Sequence, residues 1–185
     1  MIKISQLLNL NSDEIKSLGH NGYSSDKIYD FEKSKSENKF AFSFYIKDLE
    51  KHYKKTWNII VEDIEYYKKI LTENNSFGVY EDGKLAGFIL CEERKWNNTL
   101  YIENILVAEK QRGKGFGGLL IEKIKEHSGN KNIRLIELET QNTNVPAIQF
   151  YKKSKFEITG MNLKLYDPKI NNQEIAIYMT CDLQK

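Results

Sequence analysis

Apolar residues along this chain recur with two different periods, and the switch between them divides it. Asn11-Ser12-Asp13-Glu14 is a capping-box start for a short helix running toward Leu18. Residues 19–38 are polar, rich in Ser, Lys and Asp, and read as a loop or lid. Phe40 to Ile46 has strand character from its aromatics. Glu62 to Thr72 then places Ile64, Tyr67, Ile70 and Leu71 at helical spacing. From Phe77 the pattern sharpens. Phe77 to Tyr80 and Leu85 to Cys91 flank an Asp82-Gly83 turn and predict a hairpin. Asn97-Asn98 turns the chain into a strand from Leu100 to Val107. A glycine-rich loop leads into a helix with Phe116, Leu120 and Ile124 on its inward face. A strand from Ile133 to Thr140 follows, then a helix with Pro146 near its start that carries Ile148, Phe150 and Tyr151 toward Ser154. Two strands, Phe156 to Tyr166 and Glu174 to Leu183, close the chain. This order predicts an α+β architecture with one parallel crossover at its centre.

Composition narrows the class without naming it. The 185 residues are 40% hydrophobic and 29% charged, which suits one domain spanning 1–185 with a sizeable core. A net charge of +2 lends no support to nucleic-acid or membrane-surface partners. No apolar run approaches the roughly 20 residues that span a bilayer, and Met1-Ile2-Lys3-Ile4 lacks a signal-peptide pattern. A cytoplasmic protein is expected. Cys91 and Cys181 each lie in an apolar or alternating stretch and read as buried thiols on strands. His20, His52 and His127 have no partner at metal-ligand spacing, so no metal is expected.

The chemistry concentrates in Gln111-Arg112-Gly113-Lys114-Gly115-Phe116-Gly117. Gly113, Gly115 and Gly118 formally satisfy the G-x-G-x-x-G fingerprint of dinucleotide folds, with Glu137 and Glu139 roughly 20 residues on. In those folds the first glycine directly ends the strand, whereas here residues 108–112 intervene and antiparallel hairpins precede. A phosphate loop of the Walker type also fails, because no Lys-Ser or Lys-Thr pair follows the glycines. A loop whose backbone N–H groups converge on a diphosphate fits better. The helix that opens near Gly117 adds its N-terminal partial charge, and Arg112 and Lys114 add cations.

With Ile105-Leu106-Val107 ahead of this loop and Asn144-x-x-Ala147-x-x-Phe150-Tyr151 with Phe156 behind it, the chain resembles the GNAT superfamily of acetyl-CoA-dependent N-acetyltransferases. The resemblance runs from Phe77 to the carboxyl terminus. Within the superfamily it looks like the streptothricin acetyltransferases, through Trp96-Asn97, Tyr101-Ile102-Glu103, Leu138-Glu139-Thr140-Gln141, Leu165-Tyr166 and Trp57. It implies a mixed, mostly antiparallel twisted sheet flanked by helices, with its central parallel pair splayed around acetyl-CoA. Residues 76–185 are then the acetyl-CoA-binding core and residues 1–75 a variable acceptor-side half. Two positions depart from the pattern. Lys155 stands where the superfamily usually has glycine, and Asn104 where streptothricin enzymes often have aspartate.

The resemblance also implies roles. Acetyl-CoA is the cosubstrate, held by the backbone of Ile105, Leu106 and Val107, by residues 112–118 (Arg112, Gly113, Lys114, Gly115, Phe116, Gly117, Gly118) and by Asn144. Asparagine also suits the N-cap of the helix it begins. Tyr151 stands near the CoA sulfur, and its phenol, protonated at neutral pH, is the expected acid for the departing thiolate. Glu103 is the expected base toward the substrate ammonium. Glu103-Asn104 interrupts an apolar strand as a β-bulge would. Glu139 is a second acidic candidate, while Glu137 reads equally as an ordinary exposed glutamate. Trp96, Tyr101 and Tyr166, with Asn104, are candidates for the acceptor pocket, joined by Trp57 and Tyr53 if the amino-terminal half folds over the cleft. The expected acceptor is a primary amine on a cationic small molecule of streptothricin type, attacked directly in a ternary complex, and a homodimer is allowed for. A protein amino terminus or lysine is the alternative acceptor, and a non-catalytic acyl-CoA-binding regulator the alternative class.

Overall fold

The computed structural model describes residues 1–19, 21–57, 59–171 and 174–183, so His20 lies outside the described residues. In chain order its elements are β1 (Ile2–Gln6), α1 (Ser12–Ser17), β2 (Asn21–Ser36), β3 (Lys39–Trp57), α2 (Val61–Leu71), β4 (Phe77–Glu81), β5 (Lys84–Arg94), β6 (Thr99–Val107), α3 (Phe116–Asn130), β7 (Leu135–Gln141), α4 (Val145–Lys153), β8 (Glu157–Asn162) and β9 (Ala176–Asp182). Local chemistry explains most of these bounds. Asn11 Oδ1 accepts from the backbone of Asp13 and Glu14, and Glu14 returns a bond to the Asn11 N–H, a complete capping box for α1. Asp82 and Gly83 both take positive φ, 49° and 79°, as the two-residue turn between β4 and β5 demands.

Seven strands form one sheet in the order β1-β4-β5-β6-β7-β9-β8, antiparallel throughout except for the parallel pair β6 and β7. Both faces of its centre are covered. Ile89 and Cys91 belong to the core beneath α3 and α4, with Leu120, Ile121 and Ile124, while Phe88 and Leu90 pack with α1 and α2. A strand buried on both faces reads as a continuous apolar run rather than an alternation, as Phe88 to Cys91 does. Burying each such side chain contributes about 1.5–3 kcal/mol. Cys91 and Cys181 are both buried, on β5 and β9.

Three expectations change. Residues 19–38 are not a loop or lid over their length. Asn21–Ser36 is β2, paired antiparallel with β3 from Asn21↔Trp57 to Ser36↔Lys39. Only the part of β2 nearest the sheet, through Ile28, Tyr29 and Phe31, reaches the core, so its sequence lacks a regular apolar alternation, and its strand conformation comes from cross-strand pairing. Ile2–Gln6, for which no element was expected, pairs with β4 as an edge strand. The strand expected to reach Tyr166 ends at Asn162, whose Oδ1 accepts from the Lys164 N–H and turns the chain.

Candidate active site

The site arises where the sheet separates. β6 pairs with β7 only from Thr99–Ile102 to Leu135–Leu138, and both strands run on beyond that point. The cause is local. Leu90 pairs with Asn104 and Cys91 with Ile102, so Glu103 is the extra residue of a β-bulge on β6, which bends the strand and re-aims its side chains. From Glu103 onward β6 bonds to β5 on one side, while no described strand pairs with its β7-facing edge. Such an edge is a template for an extended amide-bearing chain. The resulting cleft, of about 580 Å³, is lined by Glu103, Asn104, Ile105, Leu106 and Val107 from β6 and by Glu139 from β7.

The glycine loop closes one end. Arg112, Gly113, Gly115, Phe116, Gly117 and Gly118 all line the cleft. Gly113 and Gly115 take φ of 77° and 90°, the left-handed region that glycine enters without penalty. Gly115 is the N-cap of α3 and no described side chain caps that end, so the helix presents its first N–H groups and partial positive charge to the cleft. Gly117 contributes through its small size. A Cβ there would stand 3.1 Å from Phe150 Cζ, so α3 and α4 approach closely across the cleft floor. Lys114 is outside the lining, its Nζ donating to Gln111 Oε1 at 2.6 Å, while Gln111 Nε2 donates to Glu81 at 2.5 Å. Arg112 Nε donates to the Val107 carbonyl at 3.3 Å.

On the opposite flank Asn144 and Tyr151 line the cleft. Asn144 Oδ1 accepts from the Ala147 N–H at 3.2 Å and caps α4. Tyr151 is buried between Phe150 and Phe156, at ring distances of 5.2 and 5.6 Å. Burial pushes its phenol well above the usual value of 10, with Cys91, Tyr101 and Glu139 adding to the rise, so it remains a proton donor. Lys155, just beyond α4, takes φ of 68° and forms the left-handed turn expected of a glycine.

Two carboxylates line the cleft. Burial, followed by the charge of Glu92, raises the Glu103 carboxyl above the usual carboxylate range, while Arg94 and a hydrogen bond from Tyr66 partly offset this. Glu139 is also raised, first by burial, against the Tyr166 hydrogen bond and the Lys55 charge that lower it. The Tyr166 hydroxyl donates to Glu139 and accepts from Gln141 Nε2 at 2.9 Å. A raised carboxyl suits a group that must take a proton near neutral pH.

The remaining expected residues divide between the cleft and its surroundings. Glu137 pairs with Arg94 at 2.8 Å, and the Arg94 guanidinium lies 3.7 Å over the Tyr101 ring, so both residues are engaged beside the cleft rather than lining it. Asn104 Nδ2 donates to the Tyr67 hydroxyl of α2 at 2.7 Å. Trp96 is 84% exposed in the β5–β6 turn, at the far end of β6 from the bulge, and does not line the cleft. Its aromatic ring carried the expectation, but the turn directs it to solvent. Trp57 lines the cleft, and Asn21, Gly22 and Tyr23 join it from the base of β2. These last three were missed because their segment read as loop, and the only available signal was the pairing of Asn21-Gly22-Tyr23 with the aromatic end of β3.

Comparison with known proteins agrees with this geometry. The acetyltransferase (GNAT) family matches residues 40–156. Streptothricin acetyltransferase of Streptomyces lavendulae is 36% identical over 99 residues, covering 54% of this chain and 52% of that protein. The Escherichia coli streptothricin acetyltransferase is 35% identical over 121 residues, covering 61% and 68%. Sequence similarity therefore spans about half to two thirds of these relatives. Among solved structures, a nourseothricin acetyltransferase superposes with a TM-score of 0.78 at 24% identity, covering 99% of both chains. A Bacillus anthracis protein designated a streptothricin acetyltransferase, crystallised with acetyl coenzyme A, gives 0.74 at 26% identity over 98% of this chain and 99% of that one.

Proposed function

This chain belongs to the acetyltransferase (GNAT) family, and from that premise we propose that it transfers the acetyl group of acetyl-CoA to a primary amine of a cationic small molecule of streptothricin type. One observation carries the reading. The bulge at Glu103 opens the sheet so that two raised carboxyls, a buried phenol and an uncapped glycine-loop helix face a single cleft.

The residues present suit the cosubstrate. The β7-facing edge of β6 offers backbone groups to the amides of the pantetheine arm, and the first turn of α3 offers N–H groups to the diphosphate. Acetyl-CoA supplies an acyl group already activated as a thioester. Glu103, directly or through a water, takes a proton from the acceptor ammonium, and Glu139 is the second group placed to do so. The freed amine nitrogen bonds to the acyl carbon, the carbon–sulfur bond breaks, Tyr151 gives its proton to the departing thiolate, and the second proton lost from the nitrogen as the amide forms restores the Tyr151 hydroxyl. One of the β6 N–H groups polarises the carbonyl oxygen in this reading. The acidic walls, with Tyr66 and Tyr166 beside them, hold the acceptor's cationic groups by charge-assisted hydrogen bonds. The streptothricin relatives support this acceptor class.

Thiol release from acetyl-CoA, measured with streptothricin, polyamines and peptides offered separately, tests the proposal. Turnover with streptothricin or polyamines is expected. Turnover confined to peptides would replace the acceptor with a protein amino terminus or lysine. Acetyl-CoA binding without turnover on any amine would make the chain a non-catalytic regulator.

A further inference from the structure

Glu174 stands just before β9, outside every role assigned above, with none of its side chain exposed. Four groups from three other segments converge on its carboxylate. From β3, Lys55 Nζ pairs with Oε2 at 2.6 Å and the Tyr53 hydroxyl donates to Oε1 at 2.8 Å. From β2, the Tyr23 hydroxyl lies 3.3 Å from Oε1 and shares a 2.6 Å hydrogen bond with Thr143 Oγ1. Thr143 itself donates to Glu174 at 3.4 Å, and its neighbour Asn144 caps α4 and lines the cleft.

The consequence lies in what these contacts hold in place. Asn21, Gly22, Tyr23 and Trp57, at the base of the β2–β3 hairpin, line the cleft. On one flank the Gly22 carbonyl faces Arg112 of the glycine loop at 3.5 Å. On the other, Tyr23 meets Thr143 in the connection between β7 and α4. The hairpin base therefore crosses the cleft from one wall to the other. Lys55 also lies 5.7 Å over the ring of Tyr166, whose hydroxyl donates to Glu139. Farther along, the hairpin is fixed to the body at Tyr29, which exchanges bonds with Asn142, and from residue 32 onward β2 is exposed. A wholly buried carboxylate is costly to desolvate and repays that cost only when its partners are well placed. Here the partners are the groups that set the position of the cleft's roof.

We propose that Glu174 is a positioning residue for the acceptor: through Lys55, Tyr53 and Tyr23 it clamps the hairpin base across the cleft, so that Trp57 and the Tyr166–Glu139 pair stand where the acceptor amine binds. The inference rests on the acetyl-transfer reading above. None of the groups on the Glu174 carboxylate comes from β6 or the glycine loop, which the hairpin base meets only at the long Gly22–Arg112 contact, so the clamp acts on the acceptor more than on acetyl-CoA.

The test combines steady-state kinetics with hydrogen exchange on Glu174→Gln, Lys55→Met and Tyr53→Phe. Should Glu174→Gln fail to fold, the other two, which leave the carboxylate and its remaining partners in place, carry the same test. The expected result is a rise in acceptor KM of about tenfold, the effect of losing one charge-assisted bond, with kcat and the acetyl-CoA KM within about threefold of wild type. Exchange should quicken at residues 21–25 and 53–57 and stay unchanged in β4 to β6. An active variant with unchanged acceptor KM, or faster exchange throughout the sheet, overturns the clamp alone. A wild-type protein that acetylates no amine overturns the reading beneath it.

Discussion

Replacing Tyr151 with phenylalanine removes one oxygen from the cleft wall and almost nothing else. The residue is only 7% exposed, and its ring contacts with Phe150 and Phe156 survive the change. No described residue hydrogen-bonds its hydroxyl, so no intramolecular bond is lost. Stability should stay within about 0.5 kcal/mol, or roughly 1–2 °C in Tm for a chain of this size. Catalysis should respond far more strongly. General acid catalysis contributes about 10²–10⁴-fold, and a thiolate, with its thiol pKa near 8.5, leaves with modest help. The lower end applies: a fall in kcat of about 10²-fold, equivalent to about 2.7 kcal/mol of barrier. The raised phenol keeps its proton, so wild-type kcat should show no loss from tyrosine ionisation up to about pH 10. Thiol release at saturating acetyl-CoA and acceptor, with thermal melts alongside, measures both quantities. A kcat within twofold of wild type would refute the acid role. A slow enzyme whose Tm has fallen by more than about 4 °C would point to packing instead.

Four further outcomes follow from the same structure. Burial, then Glu92, raises the Glu103 carboxyl, so the folded chain holds that proton more tightly than the unfolded one, and ionisation costs stability as pH rises from the ordinary value of 4.5 through the folded one. Glu103→Gln should therefore gain Tm over wild type at pH 8 but not at pH 4, while losing kcat/KM and the acid limb of the pH–rate profile; equal melting shifts at both pH values would contradict this. Lys155→Gly relieves a left-handed φ of 68° and should stabilise by about 0.5–1 kcal/mol without changing turnover, as read by thermal melting. Gly117→Ala forces the Phe150 ring aside and should weaken acetyl-CoA binding about tenfold by calorimetry. Gly129→Ala, with open space at the same helix's far end, should bind normally and gain about 0.5–1 kcal/mol.

The hairpin of β4 and β5, the helix α3 and the capped α1 were legible because their signals are local: a turn dipeptide, a helical period, a capping box. The glycine loop was legible for the same reason, since left-handed φ at Gly113 and Gly115 is a property of those residues themselves. β2 was not, because a strand held mainly by its partner and half exposed to solvent needs no apolar alternation of its own. Trp96 was misplaced by chemistry without position: an aromatic beside the right strand points to solvent when it sits in the turn.

From the sequence alone came the element order from β4 onward and the glycine loop, both carried by spacings of a few residues, while Tyr151, Asn144 and Glu103 were singled out with the help of the family resemblance. The tertiary structure decided which of those groups share a space. The parting of β6 from β7 depends on a register shift between Leu90 and Cys91, a pairing of two segments that neither encodes by itself. The joining of Lys55, Tyr23 and Thr143 at Glu174 spans up to 151 residues of chain. Side-chain periodicity records which face of an element is buried, and says nothing of which distant element covers it.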